Sequence, residues 1–119
     1  MFCLTIYHLT LDFEVRLVGG AMDDEGRVEV FHDGAWGTVC DDSWDGADAV
    51  VVCRSLGFTG GAEALSEATF GEGTGGILLD NVFCIGTELS LNDCGYNGWG
   101  SHDCDHSNDA GVRCSDNSG

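Results

Sequence analysis

Two adjacent carboxylates, Asp41 and Asp42, are the first residues of this chain whose types and spacing could support chemistry. They stand between a segment patterned as a β-strand and one patterned as a helix, so we expect them in a loop. Neighbouring carboxylates repel each other unless a cation or a hydrogen-bond donor lies between them. A helix-capping or solvated pair would meet this requirement. A bound calcium ion would also meet it, because calcium prefers oxygen ligands.

Two histidines near the C-terminal end offer a second possible metal site. His102 and His106 are four residues apart, with Cys104 between them. On a helix they could share one face, as zinc ligands do. Gly98 and Gly100 favour a loop instead. We therefore interpret both histidines as structural or surface residues.

The sequence contains no pattern that indicates an enzyme. It has no Gly-x-Ser-x-Gly elbow, no zinc-protease helix and no phosphate-binding loop. A nucleophilic cysteine needs a free thiolate near a base, and most of the cysteines are expected in disulfides. Asp41 and Asp42 are too close in sequence to flank a sugar ring at the roughly 5–10 Å that glycosidase carboxylates require. We predict a domain without catalytic activity.

Seven cysteines in 119 residues indicate an oxidising compartment. Zinc sites normally show Cys-x-x-Cys spacing, because one short turn must present two ligands to one ion, and the sequence contains none. We predict a disulfide framework and an extracellular location, with the patterned cysteines being Cys40, Cys53, Cys84, Cys94, Cys104 and Cys114. The seventh, Cys3, is either unpaired or available for an intermolecular bond, and we favour the unpaired state.

The charge balance narrows the possible partners. The chain has 21 acidic residues and four basic ones, all arginine, for a formal net charge of −17. Such a surface repels nucleic acid and anionic lipid, since it cannot replace the counterions around phosphates. No apolar run approaches the roughly 20 residues that cross a bilayer, so we expect no membrane insertion. Solubility explains most of the acidic excess, and carboxylates organised around hard cations would explain part of it.

Short strands and one helix must position these groups. Apolar patterning and turn residues predict strands at 15–18, 27–31, 36–40, 77–79 and 111–114, the second and third forming a hairpin. Apolar residues at the helical spacing run from Ala49 to Leu56 and predict a helix that Asp45 or Gly46 caps and Gly57 ends.

Three further expectations concern local structure. The glycine-rich segment after the helix is expected to hold one helical turn at 62–66, and residues 88–93 a second, short helix. Trp36 is expected to be buried. Residues 1–14 form an N-terminal extension that is a linker, a cloning remnant or an extra strand, because His8 and Asp12 interrupt the apolar run of a signal peptide. The domain spans 15–115, and 116–119 form a tail.

Five motifs resemble the scavenger receptor cysteine-rich family in order and spacing. They are WGTVCDDSW at 36–44, VVCRSLGF at 51–58, LDNVFC at 79–84, GWGSHDC at 98–104 and DAGVRC at 109–114. The resemblance spans residues 15 to 115. It implies a small disulfide-rich α+β fold, with a short curved antiparallel sheet, one main helix and long loops. Asp24 and Phe58 occupy the places of two further cysteines in eight-cysteine members, so the chain resembles the six-cysteine group A.

The resemblance also implies disulfide pairs and metal ligands. The pairs are Cys40–Cys104, Cys53–Cys114 and Cys84–Cys94. In calcium-binding members a first ion is held by the residues equivalent to Asp41, Asp42 and Asn108. The second site maps onto Asp80 and Asp103. Asn108 stands where related domains often carry glutamate, so it would ligate calcium without adding charge.

These expectations lead to one functional hypothesis and one alternative. The first is a pattern-recognition module that binds microbial surface polymers, sulfated or sialylated glycans or host proteins through bound calcium, with magnesium as a further possible ion. Weak single-domain binding would gain strength from repeats or oligomers. The alternative is a metal-independent protein–protein adhesion module.

Overall fold

The computed structural model describes residues 13–116, in which six strands form one sheet and a single α-helix packs against it. The elements are β1 (Glu14–Gly19), β2 (Glu25–His32), β3 (Ala35–Val39), α1 (Gly46–Ser55), β4 (Gly61–Leu65), β5 (Gly76–Leu79) and β6 (Gly111–Ser115). β1 begins one residue before the predicted domain start. Most of the predicted extension, including Cys3, and residues 117–119 of the tail lie outside the described residues. Within the described part, no helix is long and apolar enough to cross a membrane.

The sheet confirms the predicted small α+β class but corrects the expectation of antiparallel pairing alone. Its strand order is β4-β6-β2-β3-β5, with β1 paired to β2. Four pairs are antiparallel, whereas β3 and β5 run parallel. A parallel pair needs a long crossover. Here the chain between β3 and β5 supplies it, passing through α1 and β4 before it returns to the same end of the sheet.

The helix begins at the predicted cap and ends at the predicted glycine. The side chain of Asp45 accepts hydrogen bonds from the backbone N–H groups of Ala47 and Asp48, at 3.1 and 3.2 Å. The Asp48 carboxylate accepts the N–H of Asp45 at 2.9 Å, which completes a capping box. Gly57 follows the helix with φ of 98°, a conformation that strongly favours glycine.

Asp48 also ties the start of α1 to the rest of the domain. Its side chain is completely buried, and its second oxygen accepts the N–H of Cys84 at 2.9 Å. Burial raises the pKa of Asp48 to about 6, although the bonds from Asp45 and Cys84 act in the opposite direction. A single carboxylate thus satisfies two backbone donors on separate segments.

The raised pKa predicts a pH dependence of stability. An acid whose folded-state pKa exceeds its ordinary value of 3.8 contributes stability at low pH that is lost as the pH rises through about 6. The unfolding free energy of the wild type, relative to that of Asp48→Asn, should therefore fall between pH 4 and pH 7. Urea denaturation of both proteins at both pH values measures it. A difference that is constant across this range would refute the prediction.

The predicted helical turn at 62–66 is wrong, because this segment is the strand β4. It pairs antiparallel with β6, from Gly61 opposite Ser115 to Leu65 opposite Gly111. Ala62 and Ala64 pack against the core. In so short a segment the alanines fit either conformation, and pairing with β6 decides the outcome.

The predicted second helix at 88–93 is reduced to a 3₁₀ turn at Leu91–Asp93, which the Ser90 side chain caps. The Glu88 side chain turns back and accepts the N–H groups of Ile85 and Gly86, at 2.8 and 2.9 Å. Those bonds lie in an irregular loop that precedes the 3₁₀ turn, and no α-helix forms at 88–93.

Trp36 is half-buried rather than buried. The guanidinium carbon of Arg16 lies 4.1 Å from the centre of the Trp36 ring, and the Phe31 ring lies 5.3 Å from it. The tryptophan therefore belongs to the outer face of the sheet, where a cation and an aromatic ring cover it.

The core lies between the sheet and α1, and disulfides close it. The fully buried side chains include Val28 and Val30 of β2 and Val52 of α1. The three bridges join Cys40 to Cys104, Cys53 to Cys114 and Cys84 to Cys94, which are the pairs implied by the resemblance. Cys53–Cys114 lies inside the core and fastens α1 to β6.

Candidate functional site

Parallel pairing of β3 and β5 brings two acidic loops together. Thr38 lies opposite Ile77, and Val39 lies opposite Leu79. The carboxyl ends of parallel strands meet at the same edge of a sheet. Asp42 follows β3 and Asp80 follows β5 at that edge, so the fold places the two loops side by side.

A disulfide adds a third carboxylate. Cys104 is bonded to Cys40, directly after β3, and this bond fixes its neighbour Asp103 beside the same edge. The Cys104 sulfur lies 3.7 Å from Oδ2 of Asp42 and 3.6 Å from Oδ1 of Asp103. We refer to Asp42, Asp80 and Asp103 as the acidic cluster.

The acidic cluster is compact and strongly negative. The two disulfide sulfurs and one carboxylate oxygen from each of Asp42 and Asp80 lie within 4.8 Å of one another. Loss of hydration, followed by the negative charges of Asp80 and Asp103, raises the pKa of Asp42. The cluster therefore holds a repulsion that a positive charge would relieve.

No cation of the described chain neutralises the cluster. Every ion pair within residues 13–116 involves other carboxylates. Asp80 is only 1% exposed, and one of its oxygens accepts the N–H of Asn81 at 2.8 Å. A buried carboxylate without a cationic partner is costly. The two sulfurs are oxidised in a disulfide, so the available ligand atoms are carboxylate oxygens. Such atoms suit a hard cation such as calcium.

The backbone around the cluster departs from ordinary loop geometry. Ser43, directly after Asp42, has φ of 67°, and Asn81, directly after Asp80, has φ of 55°. The Ser43 hydroxyl donates to the side-chain oxygen of Asn81 at 3.3 Å, which links the two loops. Left-handed residues other than glycine occur preferentially at functional sites, where the surrounding structure holds them in place.

Asp41 faces a different set of groups. Its carboxylate accepts the backbone N–H of Glu67 at 2.7 Å, and its own N–H donates to the carbonyl of Asn108 at 2.8 Å. The backbones of Asp41 and Asn108, two residues that the resemblance implies for the first metal site, are therefore in contact. Asp42, predicted for that same site, has its carboxylate in the acidic cluster with the residues of the second. The assignment of all five residues to calcium stays a prediction.

Glu67 was not anticipated from the sequence. It lies two residues beyond β4, in a left-handed conformation with φ of 57°. Its N–H group orients the Asp41 carboxylate. No residue pattern could have indicated this role, because a backbone donor can come from almost any residue type.

His106 links two loops and His102 makes only a local contact, which agrees with the interpretation of both as structural or surface residues. Nε2 of His106 lies 3.0 Å from the carbonyl of Gly75, and Nδ1 lies 3.0 Å from the buried carboxylate of Asp109. Burial lowers the pKa of His106, but the bonds to Gly75 and Asp109 outweigh it, and the net pKa is raised. Nδ1 of His102 accepts the N–H of Cys104. Neither histidine joins a group of potential metal ligands within the described residues.

The arginines are already engaged. The carboxylate of Glu29, which is almost fully buried, forms ion pairs with the guanidinium groups of Arg16 and Arg27, at 2.7 and 2.9 Å. Arg113 pairs with Glu25 and Glu63, at 3.0 and 3.1 Å. Arg54 donates to a backbone carbonyl, that of Glu88, at 2.6 Å. The structure therefore offers no cluster of free arginines that could hold an anion directly.

Comparison with known proteins finds relatives that resemble this chain in sequence and in fold. The family model described as "Scavenger receptor cysteine-rich domain" matches residues 18–115. A scavenger receptor cysteine-rich domain superfamily protein of Patiria pectinifera is 54% identical over 101 residues, which are 85% of this chain and 9% of that protein. The chain thus spans only a small part of the length of this relative.

Two solved structures are similar over most of their length. The third SRCR domain of murine neurotrypsin is 54% identical, with a TM-score of 0.81, covering 86% of this chain and 95% of that one. The SRCR domain of mouse MARCO, in its dimeric form, is 53% identical, with a TM-score of 0.73, covering 85% of this chain and 94% of that one.

Proposed function

Since the chain belongs to the scavenger receptor cysteine-rich family, we propose that this domain is an extracellular ligand-binding module that holds anionic ligands through calcium. The acidic cluster and the neighbouring pair of Asp41 and Asn108 are the proposed ion-binding groups. Domains of this family are binding modules, and three disulfides suit an extracellular one. The proposed ligands are microbial surface polymers, sulfated or sialylated glycans and acidic host proteins.

The observation that carries this proposal is the absence of any cationic partner for the cluster within residues 13–116. Three carboxylates converge, one of them almost completely buried, and the pKa of Asp42 is raised. A bound calcium ion would offset most of this charge and offer open coordination positions to an anionic group. Magnesium is a weaker candidate, because it loses its hydration water reluctantly.

Charge explains why a bridging ion is needed. A domain with a formal net charge of −17 repels a polyanion at long range. Arginine could overcome this repulsion only at close contact, and the arginines of this chain are bound to glutamates or to a carbonyl. Calcium at the cluster would offset most of its negative charge and present a cation to which the anionic group of the ligand could bind directly.

Calcium binding gives the direct test. Calorimetric titration with CaCl₂ at physiological ionic strength should show binding to the wild type. The double variant Asp42→Asn, Asp80→Asn should lose at least about tenfold in affinity, because two of the charged ligands are gone. The matched control is Asp23→Asn with Asp93→Asn, which removes the same charge from exposed positions outside the cluster.

A second measurement uses dextran sulfate as the anionic probe. Its binding should require calcium and reverse in EDTA, and the double variant should not bind it. Binding that persists in EDTA, or the absence of both heat and thermal shift at millimolar calcium, would refute the calcium bridge. Separate titration of Asp41→Asn and Asp42→Asn would show whether one ion or two are bound.

A metal-independent protein contact remains the alternative function. An exposed apolar loop on this domain favours a contact of that kind, independently of the acidic cluster.

A further inference from the structure

Exposed apolar side chains are concentrated on one loop. Phe83, Ile85 and Leu89 are 67%, 76% and 82% exposed, and Met22 is the other large apolar residue as exposed as these within the described chain. Three of these four side chains fall within seven residues. We refer to Phe83, Ile85 and Leu89 as the apolar loop.

The loop is held rigidly. The Cys84–Cys94 disulfide closes it, and Phe83 and Gly95 exchange backbone hydrogen bonds of 2.8 and 3.0 Å next to that bridge. The Asp48 carboxylate, on α1, accepts a hydrogen bond from the Cys84 N–H. The Arg54 side chain, also on α1, donates one to the carbonyl of Glu88.

The rigidity prevents the three side chains from turning inward. Cys84, Leu91 and Cys94 of the same segment already fill the core beneath it. The residues of the apolar loop therefore remain in water with their backbone already ordered. Apolar groups that are preorganised in this way lose little conformational entropy on binding, which is typical of the anchor residues of protein interfaces.

Charge identifies the kind of partner. The acidic groups of this segment are Glu88 and the exposed Asp93, and the nearby Arg54 is bound to the backbone of the loop. With a formal net charge of −17, the domain repels anionic surfaces and its own copies. Three side chains are also far fewer than the roughly 20–30 residues that each partner contributes to a standard stable interface, so they do not suffice for a stable dimer of this chain.

We propose that the apolar loop is a docking surface for a basic protein segment, one with apolar side chains flanked by lysine or arginine. The apolar side chains pack on Phe83, Ile85 and Leu89, and the basic groups meet the surrounding negative potential. This contact needs no metal ion, so it is separate from the proposed calcium function.

A defined peptide tests the proposal. The probe is a synthetic amphipathic peptide of leucine and lysine, titrated in EDTA at physiological ionic strength and followed by NMR shifts of the protein. We expect the largest shifts at the apolar loop. The triple variant Phe83→Ser, Ile85→Ser, Leu89→Ser should bind about tenfold or more weakly, because all three anchors are truncated.

The controls separate apolar contact from general attraction of charge. Met22→Ser removes the fourth exposed apolar side chain, which lies in the turn between β1 and β2, and should change the affinity less than about twofold. A peptide of serine and lysine, with the same charge, should bind the wild type much more weakly. Equal binding of the probe by the wild type and the triple variant would overturn the proposal, as would equal binding of the two peptides.

Two further results would assign the loop to another partner. Concentration-dependent dimerisation that the triple variant abolishes would make a second copy of the chain the occupant. Binding to zwitterionic phosphatidylcholine vesicles that depends on the same three residues would make a lipid surface the occupant. Either result, obtained without binding of the leucine–lysine peptide, rejects the basic segment.

Discussion

The double variant Cys53→Ala, Cys114→Ala is expected to lose about 4 kcal/mol of unfolding free energy, from the chain entropy of a long closed loop. The two cysteines are 61 residues apart. They lie in the core, at 0% and 3% exposure, between α1 and β6. Small domains have only about 5–15 kcal/mol of stability in total, so the loss is a large fraction of the whole.

Urea denaturation followed by far-UV circular dichroism measures this effect. The matched control is Cys84→Ala with Cys94→Ala, whose closed loop is much shorter, at a separation of 10 residues. The same entropy relation gives about 3 kcal/mol for that bridge. A smaller loss in the Cys53–Cys114 variant than in the control would show that the core bridge does not act by restricting the unfolded chain.

The variant Asp48→Ala is expected to lose about 2–4 kcal/mol, because it removes the partner of two backbone donors and breaks the capping box. One donor, the N–H of Cys84, is buried with the side chain that satisfies it. Alanine would leave this group without a partner and α1 without its reciprocal cap. The carboxylate thus stabilises the helix start and the base of the apolar loop together.

The control for Asp48→Ala is the variant Asp23→Ala, because Asp23 lies in the exposed turn between β1 and β2. This control should change the unfolding free energy by less than about 0.5 kcal/mol. Amide hydrogen exchange adds a local measure, since the N–H groups of Asp45 and Cys84 should lose protection first. A loss below about 1 kcal/mol for Asp48→Ala would mean that water replaces both bonds.

Local signals in the sequence predicted the elements that form from neighbouring residues. The hairpin of β2 and β3 turns at Asp33 and Gly34, both with positive φ, as a two-residue turn of type I′ requires. Asp45 and Gly57 mark the two ends of α1, because a cap and a left-handed stop are chemical features of single residues. The disulfide pairing came from the resemblance, since six cysteines alone allow fifteen pairings.

Long-range pairing was beyond the reach of those signals. β4 is a strand because β6 lies beside it, and nothing within Gly61–Leu65 itself distinguishes a strand from a helical turn. The parallel pairing of β3 and β5 likewise depends on the path of the intervening chain. That pairing decides which carboxylates meet. The family resemblance named Asp42 and Asp80 as candidates for two separate sites and did not anticipate that they share one cluster.

The position of the Cys104 sulfur has a consequence for the redox chemistry of the domain. Cys104 is a half-buried residue, and its sulfur lies beside the carboxylates of Asp42 and Asp103. A reducing thiol attacks a disulfide as its anion, and here the anion must approach against two negative charges. The two carboxylates should therefore slow the reduction of the bridge between Cys40 and Cys104. Any cation that neutralises them would also make the bridge easier to reduce.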